Sequence, residues 1–101
     1  MSVVASAAAN GGGMVIRVRG RFDFSTHQEF RAAYENSAPG TRAFEVDLKE
    51  ATYLDSSALG MLLLLRDHAG GDLAQISITH CNPDVRKILT ISNFEELFTI
   101  Q

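Results

Sequence analysis

Hydrophobic residues along the chain recur with two periods, one of two residues and one near 3.6, and stretches of the two kinds alternate. The small apolar residues from Met1 to Ala9 end at Asn10-Gly11-Gly12-Gly13, where glycine reaches positive φ at no steric cost. The β-prone Met14-Val15-Ile16-Arg17-Val18 follows. The pattern predicts two strands joined by this turn, with residues 1–12 forming a sheet-edge strand and turn behind a loose terminus. Gly20-Arg21-Phe22-Asp23 then breaks the second strand. Ser25 or Thr26 stands where a helix cap is wanted, and a helix through about Asn36 would turn Phe30, Ala33 and Tyr34 to one side.

Pro39-Gly40 closes that unit, and Ala43 to Leu48 alternates Phe44, Val46 and Leu48 with more polar positions, as a strand does. A second helix is expected from about Ser57 to Ala69, stopped by Gly70-Gly71. Gln75 to Thr79 reads as a strand. Pro83 suits the first turn of a third helix that buries Val85, Ile88 and Leu89. Phe94, Leu97, Phe98 and Ile100 end the chain as a short helix or strand. Strands alternating with helices predict an α/β fold: a mixed, mostly parallel sheet packed with helices, with right-handed crossovers and one antiparallel edge.

The chain's 101 residues suffice for one core, so residues 1–101 are expected to form a single domain. A net charge of -3 argues against nucleic acid, whose binders present basic surfaces, and against anionic membranes. Cys81 is the sole cysteine; no internal disulfide can form, and a reducing cytoplasm is the expected compartment. The longest apolar run, Met61 to Leu65, falls far short of the roughly 20 residues that a membrane span needs. The apolar start lacks the basic leader of a secretory signal.

The chemistry concentrates at Tyr53-Leu54-Asp55-Ser56-Ser57-Ala58-Leu59-Gly60. A carboxylate and two hydroxyls stand there at a helix start, where backbone N–H groups lack internal partners. The plain reading is a cap. The sharper one is that a serine accepts a phosphoryl group, because the orphan N–H groups and the positive end of the helix dipole can hold a dianion. On a wheel of about 100° per residue, Ala58, Leu59, Met61, Leu62, Leu63, Leu65 and Ala69 share an arc expected to face the sheet. Ser57, Gly60, Leu64, Asp67 and His68 fall opposite, and Leu64 beside a glycine gap makes a docking surface. Arg66 projects into the apolar arc, with snorkelling near the helix end as its only account.

These residues resemble the STAS family of anti-sigma factor antagonists. Asp55-Ser56-Ser57-Ala58-Leu59-Gly60 is similar to the central motif of that family. Gly20 to Asp23 resembles its first loop, Asn82 to Leu89 its penultimate helix, and Phe94 to Phe98 its close, so the likeness runs from about Met14 to the end. The resemblance implies a bacterial, cytoplasmic partner-switching phosphoprotein of transcription regulation, without cofactor or metal. It further implies that the serine after the aspartate, Ser56, is phosphorylated by an anti-sigma factor with a histidine-kinase-like ATPase fold, and that a metal-dependent serine phosphatase reverses this. It implies partner contacts at Asp23, Asp55 and Ser57, to which the outward helix face adds Gly60 and Leu64. Arg21 and Ala58 depart from the family's usual acidic residue and glycine.

Two other readings stand beside this one. A serine-nucleophile enzyme would want glycines two residues either side of the serine, and Leu54 and Ala58 occupy those places. A STAS module that binds a nucleotide or serves as an accessory subunit of a transport complex keeps the fold and changes the job. His27, His68 and His80-Cys81 show no ligand spacing, so no metal site is expected.

Overall fold

The computed structural model describes residues 2–8 and 13–101. Strand β1 (Val3–Ala7) pairs antiparallel with β2 (Met14–Val18), Val3 opposite Val18. Of the predicted turn between them, Gly13 is seen, accepting at its carbonyl from Ala8 N at 2.9 Å, while Asn10 to Gly12 lie outside the described residues. Parallel partners extend the sheet to β4 (Ala43–Asp47), β6 (Gln75–Thr79) and the two-residue β7 (Thr99–Ile100), in the order β1-β2-β4-β6-β7. The α/β class, the mostly parallel sheet and its antiparallel edge are as predicted.

A second, smaller sheet was not predicted. Gly20–Phe22, expected only to break a strand, is itself a strand, β3, and pairs in parallel with β5 (Ala51–Leu54). Each is too short to show a period, and Gly20 at φ +70° gives the bend that sets β3 off from β2.

Helices α1 (His27–Glu35), α2 (Ser56–His68) and α3 (Pro83–Ile91) cover the sheets. One face of the larger sheet supplies Ile16, Val18, Phe44, Val46, Ile76 and Ile78 to a core shared with Phe30 and Tyr34 of α1, Leu62 and Leu65 of α2, and Val85 and Leu89 of α3. Pro83 opens α3 as expected, and Asn82 caps it by accepting from Val85 N at 2.8 Å. The chain's close is both of the predicted alternatives, a short helical turn at Phe94–Glu96 followed by β7.

The other face of the larger sheet is mostly polar, with Val15 buried among its polar groups. Arg17, Glu45, Asp47 and Thr79 alternate with core positions. They form a network in which Arg17 lies 3.5 Å from Asp47, His80 Nδ1 3.0 Å from Asp47, and Thr79 donates to Glu45 at 2.8 Å. Satisfying one another lets these groups sit on a sheet without a covering helix.

Candidate functional site: two aspartate-capped turns

The small sheet delivers two turns to one place. Phe22 is opposite Leu54 in the parallel register, so Asp23 and Asp55 leave the ladder together. Both have extended backbone, and each caps the helical segment that begins at the next residue. Asp55 Oδ1 accepts from Ala58 N at 3.1 Å and from the Ser57 hydroxyl at 2.6 Å. Asp23 Oδ1 accepts from Ser25 N at 3.0 Å and from the Ser25 hydroxyl at 2.5 Å. Capping near α1 was expected of Ser25 or Thr26. Thr26 does stand at the N-cap position of α1, though without a side-chain capping bond; the side-chain cap is Asp23, for a short helical turn at Phe24–Thr26 that precedes α1. Ser25 is a donor to the cap, and the Thr26 hydroxyl bonds back to the Asp23 carbonyl.

Around α2 the expected residues divide by role. Ser56 is the first helical residue and is exposed, and its hydroxyl takes no part in the cap's bonds among the described residues. Ser57 was expected on the outward face; it is half-buried, its hydroxyl committed to Asp55. Gly60 and Leu64 face out, the leucine 54 % exposed. A Cβ on Gly60 would meet no atom within 4 Å, so internal packing gives no reason for a residue that costs a helix up to about 1 kcal/mol relative to alanine.

Leu63, expected against the sheet, is 43 % exposed. The inward arc is Ala58, Met61, Leu62, Leu65 and Ala69, with Leu59 partly buried against the same core; Leu63 alone lies past its edge, and the unbroken leucine run hid the phase. Ser56, Gly60, Leu63, Leu64 and Asp67 therefore share one exposed flank at helical spacing. Arg66 bridges to Asp72 at 3.0 Å, an ion pair where snorkelling was expected.

Two neighbours went unassigned in the sequence because only the register joins them. Arg21 is opposite Tyr53. Its guanidinium lies 4.2 Å from the centre of the Tyr53 ring and 3.1 Å from Asp23 Oδ2. The Ser25 hydroxyl, and after it Arg21, hold the Asp23 carboxyl below the usual carboxylate range. Phe24, which follows Asp23 as Ser56 follows Asp55, is 70 % exposed and stacks on His27.

Other chemistry lies elsewhere. Ligand atoms of Glu45, Asp47 and His80 fall within 4.8 Å of one another, a grouping that the sequence, with more than thirty residues between Asp47 and His80, did not show. Their oxygens are already engaged by Arg17, Thr79 and the Lys49 N–H. Burial raises the Cys81 thiol above its ordinary value, which disfavours the reactive thiolate. A cleft of about 560 Å³ lined by Met14, Glu45, Gln75, Leu97 and Phe98 shares no residue with the two turns. No helix among the described residues is long and apolar enough to cross a membrane.

Known proteins share both the sequence and the fold. The chain is 62 % identical over 100 residues to a STAS-domain containing protein of Pseudomonas aeruginosa (strain UCBPP-PA14), covering 99 % of each. Its fold matches that of an anti-sigma factor antagonist from Mycobacterium paratuberculosis with a TM-score of 0.75, at 19 % identity over 98 % of this chain and 85 % of that one. It also matches a sulfate transporter family protein from Wolinella succinogenes with a TM-score of 0.72, at 12 % identity over 91 % and 84 %. Residues 5–99 match the family model described as Mlab, STAS domain, and with this match and the 62 % identical relative the chain belongs to the STAS-domain family.

Proposed function

We propose that this protein is an anti-sigma factor antagonist that is switched off by phosphorylation of Ser56. The observation that carries the reading is the division of labour in Asp55-Ser56-Ser57. Asp55 and Ser57 are tied to each other in the cap, while Ser56 stands exposed at the first helical position. A hydroxyl there is open to a kinase, and a phosphate on it meets the N–H groups and positive dipole of a helix start without displacing the cap.

In this reading the unmodified protein docks through the start of α2, with Asp23, Gly60, Leu63 and Leu64, onto an anti-sigma factor with a histidine-kinase-like ATPase fold, and so frees a sigma factor. Phosphate adds about one and a half to two negative charges to a contact that must lose its water, near two aspartates. A metal-dependent serine phosphatase resets it. In this reading the protein acts as a binding module rather than a catalyst: the Ser57 hydroxyl donates to the Asp55 carboxylate that caps its own helix, and Ser56 has no base bonded to it among the described residues.

Incubation with a cognate anti-sigma factor and ATP, followed by mass spectrometry, tests the assignment. One phosphate on Ser56, and none on Ser56→Ala, is expected. Modification elsewhere, or full partner binding by Ser56→Glu, would sink it. Likeness to a sulfate transporter family protein favours a second reading, a module within a transport assembly. Co-purification with membrane transport subunits, unchanged by Ser56→Glu, would select it.

A further inference from the structure

We propose that Arg21 is a resident counter-charge for the Ser56 phosphate, parked on Tyr53 and Asp23 until the phosphate arrives. The inference rests on the proposed phosphorylation of Ser56 and adds how the modified state is held.

Arg21 is placed and loosely held. Its side chain is 65 % exposed, and exposed ion pairs and cation–π contacts are each worth little, so leaving them costs little. It already leans along β3 toward the end where both turns emerge, since it pairs with Asp23, two residues ahead. Its register partner is Tyr53. Ser56 lies three Cα steps beyond Tyr53, at most about 11 Å when extended, and the last step enters a helix, which shortens the span. An arginine reaching from one side and a phosphoserine from the other bridge such a gap.

Chemistry favours the exchange. A guanidinium offers parallel donors that match two phosphate oxygens, and a dianion attracts it more strongly than one carboxylate. Asp23 is not orphaned, because Ser25 continues to donate to it from both N–H and hydroxyl. The other described arginine ion pairs, with Asp47, Glu50, Glu35 and Asp72, hold their cations at other places. The phosphate would therefore be pinned down at the helix start, and Asp23, still bonded by Ser25 but without its cation, would turn an uncompensated negative charge toward the partner.

The test uses the full chain with phosphoserine inserted at position 56 during translation, so no kinase is involved. The second ionisation of the phosphate is followed by phosphorus NMR against pH. Ordinarily near 6, it should lie about half a unit lower beside Arg21 than in Arg21→Gln, a threefold change in proton affinity. Arg21→Lys should recover part of the shift, and Asp23→Asn, which frees the guanidinium, should deepen it. Equal titrations for the native chain and Arg21→Gln, with both chains melting at the same temperature when unphosphorylated, overturn the proposal. Failure of a kinase to modify Ser56 would instead count against the proposed function, so the two ideas fail separately.

Discussion

The turns Phe22-Asp23-Phe24-Ser25 and Leu54-Asp55-Ser56-Ser57 share a serine-to-aspartate bond, take different backbone donors, Ser25 N in one and Ala58 N in the other, and differ in what they present. Each begins at the end of a paired strand, and in each an aspartate accepts from a serine hydroxyl two residues on. One launches three residues of helical turn and the other a helix of 13 residues. Between cap and serine, one turn shows an exposed phenyl ring and the other an exposed hydroxyl. The cap is thus a general solution to starting a helix, and the residue it leaves free is what gives one of the two turns its chemistry.

The sharpest break in this pairing is a charge at the free position. Under the proposed function, Ser56→Asp should weaken binding to an anti-sigma factor several-hundred-fold, about 3 to 4 kcal/mol, as measured by calorimetric titration, while urea unfolding stays close to native. Phe24→Ala should leave the acceptor chemistry alone and lower the rate of phosphate incorporation only if the ring is part of the docking face. If both variants bind partner as the native chain does, the two turns are merely structural.

Next in size is the cap. Asp55→Ala should cost about 1 kcal/mol in urea unfolding, because 13 helical residues depend on it. Asp23→Ala, before a three-residue turn, should cost less. A reversed order would show that the helix length does not set the worth of the cap.

Gly60→Ala separates stability from docking. With empty space where the methyl would go, it should stabilise the fold by about 0.5 to 1 kcal/mol and yet weaken partner binding. Stabilisation with undiminished binding would remove Gly60 from the docking surface.

The smallest effect lies in Asp23 itself. Its carboxyl titrates below the usual range, chiefly through Ser25 and then through Arg21. With a lowered folded value, its contribution is complete above the unfolded pKa and disappears as pH falls through the folded one. Carbon NMR of the carboxyl should show Ser25→Ala raising the midpoint more than Arg21→Gln does; the opposite order would put the ion pair, not the cap, in charge.

Much of this frame can be read from residues alone. Pro83 with Val85 and Leu89 marks α3, the alternation Phe44, Val46, Leu48 marks β4, and Asp55 before two serines marks the start of α2. What escapes is whatever depends on register or on phase. Gly20–Phe22 and Ala51–Leu54 are strands because they have each other, and neither has a period of its own. Arg21, Tyr53 and Asp23 meet only through that pairing. Serine, threonine and aspartate are all good caps, so composition could not choose Asp23 over Ser25 or Thr26, and five consecutive hydrophobic residues, Met61 to Leu65, blur the phase that turns Leu63 outward.

The Ser56 hydroxyl stands apart from the bonds that start its helix. Under the proposed switch, the chain therefore passes between its two states without unmaking any of them, and so without hysteresis. Such a device keeps no memory. Its setting at any moment would be the running ratio of two enzyme rates, and a cell that needs the signal to outlast its cause must store that history somewhere other than in this fold.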